Sequence, residues 1–563
     1  MCIRDRILNR LEEIVDGDLL KYIVEDGSYI REHFFGTSPE LLKMVEHLSD
    51  KQLERMRLGG HDPEKMYAAY NEAINHNDGP TVILARTIKG YGLGEAGEGR
   101  NITHNQKKLN EDELLYFRDR FNLKFTDDEA MKAPFYRFKK NSKEYKYLKK
   151  QRDKLGGYLP SRTDKSKNLK VPHLSIFKEL IDGSGDRKIS TTMAYVRLIT
   201  LLTKDKNIGN HIVPIIPDEA RTFGMDPLFR QLGIYSSAGQ VYDPVDSDQF
   251  LYYKEAKNGQ ILEEGINEAG AVSSFIAAGT SYSNHGIKMI PFYIYYSMFG
   301  FQRTWDLIWA AGDMRARGFL LGGTAGRTTL NGEGLQHQDG HSHLAAAATP
   351  NIKAYDLAYG YEIATIIHHG MVEMCEKNKD VIYYLTLENE NYVHPPMPEN
   401  IKNDIIKGLY KIKSTKNPMV RLLGSGPLMG EVLEAAKLLK KDWGIEAGIW
   451  NVTSFSELRR DAEETERWNL LHSGDKPHQS HLEKCLSKNT VPTIAVSDYV
   501  KMVSEQIGPY VPGEYYALGT DGFGRSDTRE NLRKFFEVDR YYVVFTTLRA
   551  LAIENKLDIN IVI

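Results

Sequence analysis

The hydrophobic positions of the chain predict short buried strands that alternate with amphipathic helices. Continuous apolar runs bounded by turn residues lie at 81–85, 211–216, 289–295, 318–321, 381–387, 419–423, 447–452 and 493–496. Runs of this kind are typical of strands that a parallel sheet buries on both faces. Helical spacing of apolar residues over 191–202, 305–316 and 431–439 fills several of the intervals between them. The pattern therefore predicts an α/β fold.

The first part of the chain carries only one predicted strand, residues 81–85 (TVILA). A single strand cannot form a sheet, so we expect the rest of this domain to be missing or to come from a partner. The opening residues MCIRDR lead into a helical pattern without a capping residue, which indicates a truncation or a junction at the start. We predict three α/β domains, of which the first is incomplete: residues 1–165, 166–404 and 405–563.

Composition excludes several classes of function. Of the 563 residues, 41% are hydrophobic and 26% are charged, and the formal net charge of −3 gives no global field that attracts nucleic acid or an anionic membrane. The lysine-rich tract 139–154 interleaves acidic residues, so a solvated helix explains it better than a nucleic-acid surface. No apolar run approaches the roughly 18 residues of a membrane span. The three cysteines are far apart, which argues against a disulfide framework and fits a reducing cytoplasm.

The most distinctive segment is FLLGGTAGRTTLNGEGLQHQDGHSH, residues 319–343. It is rich in glycine and nearly free of apolar residues after Leu321, so it cannot build a core. Glycines let the backbone approach a ligand closely while polar side chains converge on it. A long solvated loop is the alternative, but such loops are usually functional, and this one carries His337, His341 and His343. We therefore expect a functional site here.

A second candidate is Glu268, which the pattern places on a helix over residues 261–278. Helical spacing puts its carboxylate on the same face as apolar residues such as Val272 and Phe275. Desolvation there raises the pKa of a carboxyl group, which suits a group that shares a proton. A structural glutamate paired at a domain interface agrees equally well with the pattern.

Two further polar segments follow predicted strands. Glu219, in PDEART, lies just beyond the strand 211–216, where open α/β sheets place ligands, although an ordinary turn with Asp218 as a helix cap also fits. His104 follows the glycine-rich residues 90–99, a composition typical of loops that close over a site. A lone histidine in a loop is more often only solvated. The aromatic cluster at 292–301 is more typical of a core than of a ring-binding pocket.

Several longer motifs carry a resemblance to a known family. They are REHFFG (31–36), GGHDPEKMYAA (59–69), TIKGYGLGEAGEGRNITHNQKK (87–108), GYLPSR (157–162), PDEARTFGM (217–225), EGINEAGA (264–271), PFYIYYSMFGFQR (291–303), GRTTLNGEGLQHQDGHSH (326–343) and LGTDGFGRSDTRENLR (518–533). Together they resemble the homodimeric bacterial type of pyruvate dehydrogenase first component, a thiamine-diphosphate-dependent decarboxylase. The resemblance spans residues 16–555.

The resemblance implies a transketolase-like fold with a diphosphate-binding, a pyrimidine-binding and a C-terminal domain. The active sites then lie between the two subunits of a homodimer, and residues 1–165 form the rear of the diphosphate-binding domain plus a linker. The family's Gly-Asp-Gly motif, which binds Mg²⁺ and the diphosphate, does not occur in this chain in its expected setting. We therefore name no metal ligand here and expect the Mg²⁺ ligands in a segment that precedes this chain.

The resemblance also implies roles for particular residues. Glu268 matches the carboxylate that hydrogen-bonds the pyrimidine ring of thiamine diphosphate, and Tyr296 and Phe299 match its pocket. Lys89 matches a residue that contacts the cofactor near its diphosphate. Three more matches are catalytic: His337 beside the substrate, His104 in acetyl transfer, and Glu219 in the same active-site network.

The implied reaction is oxidative decarboxylation of pyruvate, with transfer of the acetyl group to a lipoyl-lysine of the acetyltransferase component. Partners are then pyruvate, that lipoyl-bearing component and a second copy of the chain, in the bacterial cytoplasm, with no nucleic acid or membrane. Loops 90–107 and 236–252 are expected to order when cofactor and substrate bind. The alternatives are a related 2-oxo acid dehydrogenase or transketolase-like enzyme, and a catalytically incompetent fragment that keeps only assembly surfaces.

Overall fold

The computed structural model divides the chain into two compact units, Met1–Pro160 and Ser161–Ile563. The structure describes residues 3–56, 59–158, 164, 166–217, 220–245, 247–248, 253–413 and 415–562.

In the described part of the first unit, the regular elements are all helices. Its α-helices, α1 to α9 in order, are Ile3–Glu13, Asp16–Val24, Gly27–His33, Pro39–Met44, Asp50–Glu54, Pro63–Asn75, Glu111–Arg120, Asp127–Ala130 and Lys143–Lys154. Side-chain caps begin several of them: the Asp62 carboxylate, for example, accepts the backbone N–H groups of Glu64 and Lys65 at the start of α6. A small core of Phe34, Phe35, Leu41, Val45 and Leu53 lies between α3, α4 and α5.

The strand predicted at residues 81–85 is wrong. These residues have no regular secondary structure, and the side chains of Val82 and Leu84 are 81% and 92% exposed. A strand needs a neighbour to pair its backbone N–H and C=O groups. The described residues of the first unit contain no second strand that could supply one, so the apolar run has neither a pairing partner nor a face to bury.

The second unit contains two main sheets, and the larger has six parallel strands. Strands β1 to β10 are Lys188–Ile189, Ile212–Ile216, Ile234–Tyr235, Glu255–Ala256, Leu262–Glu263, Ile290–Tyr296, Gly318–Gly323, Ile352–Asp356, Ile382–Thr386 and Tyr392–Val393. The sheet has the order β5-β2-β6-β7-β9-β8, and β1-β10 and β3-β4 form small separate pairs. Every residue of β7 and all but the last of β6 are buried, as expected for central strands covered on both faces.

Helices cover this sheet on both faces. Helices α10 to α17 are Lys178–Ile181, Thr191–Leu202, Asp226–Leu232, Glu268–Gly279, Ser281–Asn284, Gly300–Asp313, Ser342–Ala348 and Gly360–Met371. The apolar spacing predicted α11 with the bounds that are observed. Helix α13 begins at Glu268 rather than at 261, because Leu262 and Glu263 pair with β2 and the Asn267 side chain caps the helix by accepting the Gly270 N–H.

The smaller sheet has five strands. Strands β11 to β15 are Leu409–Lys413, Val420–Gly424, Ala447–Val452, Thr493–Val496 and Tyr515–Leu518. Their order is β11-β13-β12-β14-β15, with β11 antiparallel to β13 and the other neighbours parallel. Helices α18 to α24 are Lys402–Lys407, Met429–Trp443, Phe455–Leu471, His481–Leu486, Lys501–Glu505, Arg529–Phe535 and Arg540–Ile553.

A buried polar network joins helix α17 to the smaller sheet of the second unit. The Glu362 carboxylate on α17 accepts the Tyr410 hydroxyl of β11 and the Asn451 amide N–H of β13, the latter at 2.6 Å. It also accepts the Ala358 backbone N–H at 2.7 Å. Burial raises the pKa of Glu362 to about 7. Among the described residues, no helix combines the length and the apolarity that crossing a membrane requires.

Candidate active site

The candidate site lies at the carboxyl ends of β6 and β7, two central neighbours in the parallel sheet. Tyr296 ends β6 and pairs with Gly323, which ends β7. The Ser297 N–H continues the ladder by donating to the Gly323 carbonyl at 2.8 Å. Open α/β sheets bind ligands beyond the carboxyl ends of their strands. The glycine-rich segment predicted to be functional leaves the sheet from this edge.

Three of the predicted site residues meet there. His337 lies in a short turn, Leu335–His337, and its ring packs edge-on against Tyr296 and Phe299, with ring centroids 5.3 and 5.2 Å away. The other side of Tyr296 contacts Phe223 at 5.4 Å. The Nδ1 atom of His337 is buried and has no hydrogen-bond partner among the described residues. A buried polar atom without a partner is costly, so this ring is suited to a ligand that brings one.

Glu268 joins this group through an arginine. Its carboxylate accepts a hydrogen bond from Arg303 Nη1 at 2.7 Å, and the Arg303 guanidinium lies 4.1 Å from the centroid of the Phe299 ring. Glu268 is the first residue of α13, where the helix dipole favours a negative charge. Its side chain is 18% exposed, so it is a half-buried, paired carboxylate rather than a member of an apolar stripe. We call Glu268, Tyr296, Phe299, Arg303 and His337 the His337 cluster.

A carboxylate from the smaller sheet holds the segment that leads to His337. Asp498 follows β14, and its two oxygens accept the backbone N–H groups and the hydroxyls of Thr328 and Thr329 at 2.7–2.9 Å. Both threonines are fully buried. Gly326 has φ +83°, and a Cβ atom there would lie 2.3 Å from Asp498 Oδ2. Burial raises the pKa of Asp498, although the two threonines act in the opposite direction.

A second anchor follows His337 directly. The buried Gln338 side chain donates to the Leu330 carbonyl at 3.0 Å and accepts the Arg525 N–H at 2.6 Å. His337 therefore lies between two fixed points, the Asp498 contacts and Gln338. Both points depend on residues that follow strands of the smaller sheet, so that sheet positions a histidine that belongs to the larger one.

The remaining histidines of the segment, His341 and His343, make contacts that order the chain. Asp339 is fully buried and accepts the backbone N–H groups of His341 and Ser342 at 2.9 Å. His341 Nδ1 lies 4.0 Å from the same carboxylate. His343 is buried against Tyr499, its Nε2 lies 3.1 Å from the Thr386 hydroxyl, and burial lowers its pKa. These contacts order the turn that follows His337.

Three predicted site residues lie outside the described part of the second unit. Lys89 and His104 belong to the first unit, where both are exposed; His104 lies in the short helical turn Asn101–Asn105. The loop that carries them has fixed points, since Tyr91 stacks on His61 at 3.9 Å and the Gly99 N–H donates to the Lys89 carbonyl. Glu219 lies outside the described residues, as does Asp218.

Sequence reasoning missed two residues of the site, Arg303 and Asp498. Arg303 ends the aromatic motif PFYIYYSMFGFQR, so a lone cation beside an aromatic run was the available signal. Asp498 had no comparable signal, because its partners lie 169 and 170 residues away. In the part of the chain that the structure describes, no three His, Cys, Asp or Glu side chains come together as a metal site.

Two families match the second unit. Residues 169–395 match the pyruvate dehydrogenase E1 component middle domain, and residues 408–539 match the transketolase-like TK C-terminal domain. The chain is 58% identical over 557 residues to the pyruvate dehydrogenase E1 component of Pseudomonas aeruginosa, covering 98% of this chain and 63% of that one. It is 50% identical to the pyruvate dehydrogenase E1 component of Escherichia coli K12, covering 99% of this chain and 63% of that one.

Solved structures confirm the predicted transketolase-like fold. The transketolase from Leishmania mexicana has a TM-score of 0.61 and 17% identity, covering 87% of this chain and 65% of that one. The transketolase from Campylobacter jejuni has a TM-score of 0.59 and 16% identity, covering 90% and 70%. At such identities the likeness concerns the fold alone. By sequence, the chain is similar to bacterial pyruvate dehydrogenase E1 components over nearly all of its own length, and it spans about 63% of the length of the curated relatives it matches.

Proposed function

We propose that this chain supplies the pyrimidine-binding and C-terminal domains of a pyruvate dehydrogenase that depends on thiamine diphosphate. The reaction is oxidative decarboxylation of pyruvate with transfer of the acetyl group to a lipoyl-lysine of the acetyltransferase component. One observation carries the proposal: His337 lies against Tyr296 and Phe299, with an unpartnered Nδ1, at the ligand-binding edge of the sheet. Sequence identity of 58% to a pyruvate dehydrogenase E1 component supports it.

The residues of the His337 cluster fit the pyrimidine half of the cofactor. Tyr296 and Phe299 offer aromatic faces to a flat ring, and Glu268 offers a half-buried carboxylate that can accept a hydrogen bond from a ring nitrogen. Bound thiamine diphosphate supplies a nucleophilic carbon and an electron sink. The Arg303 guanidinium forms an ion pair with the Glu268 carboxylate in this structure. Arg303 must therefore move away from that carboxylate, or share it, when a nitrogen of the pyrimidine ring binds there.

His337 acts on the substrate side of this group. Its buried Nδ1 can accept or donate one hydrogen bond, and the anchors on either side fix where that bond points. A histidine held in this way can orient the pyruvate carbonyl and transfer a proton to its oxygen. Within the same proposal, Glu219 belongs to the substrate network, Lys89 contacts the cofactor near its diphosphate, and His104 assists acetyl transfer.

The proposed domains are residues 1–165, 166–404 and 405–563, with the pyrimidine-binding domain in the middle. Mg²⁺ and the diphosphate are bound by residues other than those of the His337 cluster, which offers one carboxylate and no set of oxygen ligands. The working assembly is a homodimer in the bacterial cytoplasm that receives the swinging lipoyl arm. The transketolase reading is weaker, because sugar phosphates require basic groups, and the cluster's only cation, Arg303, is paired.

The test is calorimetric titration of the purified chain with thiamine diphosphate and Mg²⁺, followed by pyruvate-dependent reduction of ferricyanide. Saturable cofactor binding with pyruvate decarboxylation supports the proposal. Cofactor binding with turnover of 2-oxoglutarate or a sugar phosphate in place of pyruvate refutes the substrate assignment. Absence of cofactor binding refutes activity in this chain and favours the alternative of a fragment that keeps assembly surfaces only.

Two variants test the assigned residues. Glu268→Gln and His337→Asn should each lower kcat about 100-fold, the usual minimum for loss of a proton-transferring group. Glu466→Gln and His285→Asn are matched controls, since both residues are exposed in the second unit and outside the His337 cluster. Equal activity of Glu268→Gln and its control would remove Glu268 from the site.

A further inference from the structure

A cavity of about 370 Å³ opens on the second unit beside the start of α11. Its wall comes from α10, β1 and the turn before it, α11, the start of α17 and the residue that follows β10. None of its lining residues belongs to the His337 cluster. The volume lies within the range of roughly 300–1,000 Å³ that small-molecule sites occupy. The cavity is large enough to take a ligand rather than only water.

The inner wall of the cavity carries a buried histidine beside apolar side chains. His394 is 2% exposed, and its Nδ1 accepts the Gly360 N–H at 3.0 Å, so the proton of the neutral ring is on Nε2. That Nε2 is buried, and no described atom lies in hydrogen-bond geometry with it. Burial lowers the pKa of the ring to about 4, and the nearby Ile189 backbone opposes this with a smaller effect. Leu180 and Ala194, both buried, form the apolar part of the wall.

The mouth of the cavity carries one cation in excess. Arg197 donates two hydrogen bonds of 2.7 Å to the Glu179 carboxylate, so these two charges compensate each other. Arg187 is close enough to help lower the pKa of Glu179, after the larger effect of Arg197. In the described part of the chain, the Arg187 guanidinium makes no ion pair. Among the residues that line the cavity, two arginines and one glutamate therefore leave a net charge of +1 at the mouth.

We propose that this cavity binds a small organic monoanion that has a carboxylate head and a short apolar body. The Arg187 guanidinium matches a carboxylate in shape and charge and can bind it through two hydrogen bonds. The His394 Nε2–H donates to the ligand, and the apolar body packs on Leu180 and Ala194. The site is separate from the reaction proposed above and does not depend on it.

The test is titration of the whole purified chain with straight-chain carboxylates from acetate to hexanoate, monitored by calorimetry. Affinity should rise about 3- to 4-fold with each methylene until the cavity is filled, because each buried methylene adds a similar apolar area. The alcohols of the same lengths should bind at least about 10-fold more weakly, since they carry no charge for Arg187. Inorganic phosphate, which has the charge without the apolar body, should bind more weakly than hexanoate.

Two variants locate the binding. Arg187→Gln should lower the affinity for hexanoate about 10-fold or more, and Arg549→Gln, an exposed arginine on α24, should leave it unchanged. Met193 lines the mouth and is 53% exposed, so Met193→Trp should block the cavity without disturbing the core. Absence of saturable binding, affinity independent of chain length, or full binding by either cavity variant would overturn the proposal.

Discussion

Replacing Asp498 with alanine should destabilise the second unit and free the segment that carries His337. The carboxylate accepts four hydrogen bonds, from the N–H and the hydroxyl of Thr328 and of Thr329, and all three residues are buried. The threonine hydroxyls can rotate toward other acceptors after the change. The two backbone N–H groups cannot, because Gly326 and the strand before it fix the path of the chain.

The expected magnitude follows from these two N–H groups. A buried donor that loses its acceptor costs about 1–3 kcal/mol, so two of them lower the free energy of unfolding by about 2–6 kcal/mol. Relief of the burial of the carboxylate offsets part of this loss, and burial does raise the pKa of Asp498. We therefore expect about 2–4 kcal/mol for Asp498→Ala. Asp498→Asn keeps one oxygen and should lose about half as much.

Urea unfolding measures the stability, and hydrogen exchange of peptides from residues 326–343 measures the order of the segment. Exchange in these peptides should accelerate at least about 10-fold in Asp498→Ala, while peptides from β12 and β13 keep their rates under native conditions. Asp475→Asn, an exposed aspartate after α20, serves as the control and should change stability by less than about 0.5 kcal/mol. If Asp498→Ala changed stability no more than this control, the hydrogen bonds would not hold the segment.

Three further predictions concern stability and order. Because burial raises the pKa of Glu362 from 4.5 to about 7, the folded chain binds this proton more tightly than the unfolded chain, and the resulting stabilisation is complete below pH 4.5 and lost as the pH rises through 7. Glu362→Gln should remove up to about 3 kcal/mol of this pH dependence, and parallel pH profiles of Tm for variant and parent would contradict it. Gly322→Ala should cost about 1–3 kcal/mol in urea unfolding, since its Cβ would lie 2.4 Å from the Tyr384 hydroxyl, whereas Gly430→Ala, with open space around its Cβ in a helix, should not destabilise. Loop 90–107 should resist limited proteolysis better when thiamine diphosphate, Mg²⁺ and a pyruvate analogue are present, and equal cleavage with and without them would count against closure.

Several helices and strands of the second unit were predictable from the local hydrophobic pattern of the sequence. The apolar runs predicted β13 and β14 with the observed bounds, and the apolar spacing predicted both ends of α11. These helices and strands are buried on well-defined faces, so the spacing of their apolar residues shows directly which face is buried. The prediction of one helix over residues 261–278 was wrong at its start. Leu262 and Glu263 pair with β2 as a short parallel strand, and the helix begins only after the Asn267 cap. Pairing between strands distant in sequence leaves no periodic signal.

Resemblance to a family supplied three residues of the candidate site. Tyr296, Phe299 and His337 were predicted separately, and the structure brings their rings together. Composition alone favoured a core for the aromatic pair, since aromatic clusters are usually buried. The Asp498 contacts depend on two segments about 170 residues apart, and no local rule connects an aspartate after one strand to two threonines after another.

The open segment at residues 81–85 determines how the chain behaves at high concentration. Its backbone makes no hydrogen bond within the described structure, and Val82 and Leu84 point apolar surface at water. A segment of this kind is a template on which a strand of another molecule can pair. We therefore expect this segment to favour self-association in concentrated solutions, and a short β-forming peptide that pairs with it to reduce that association.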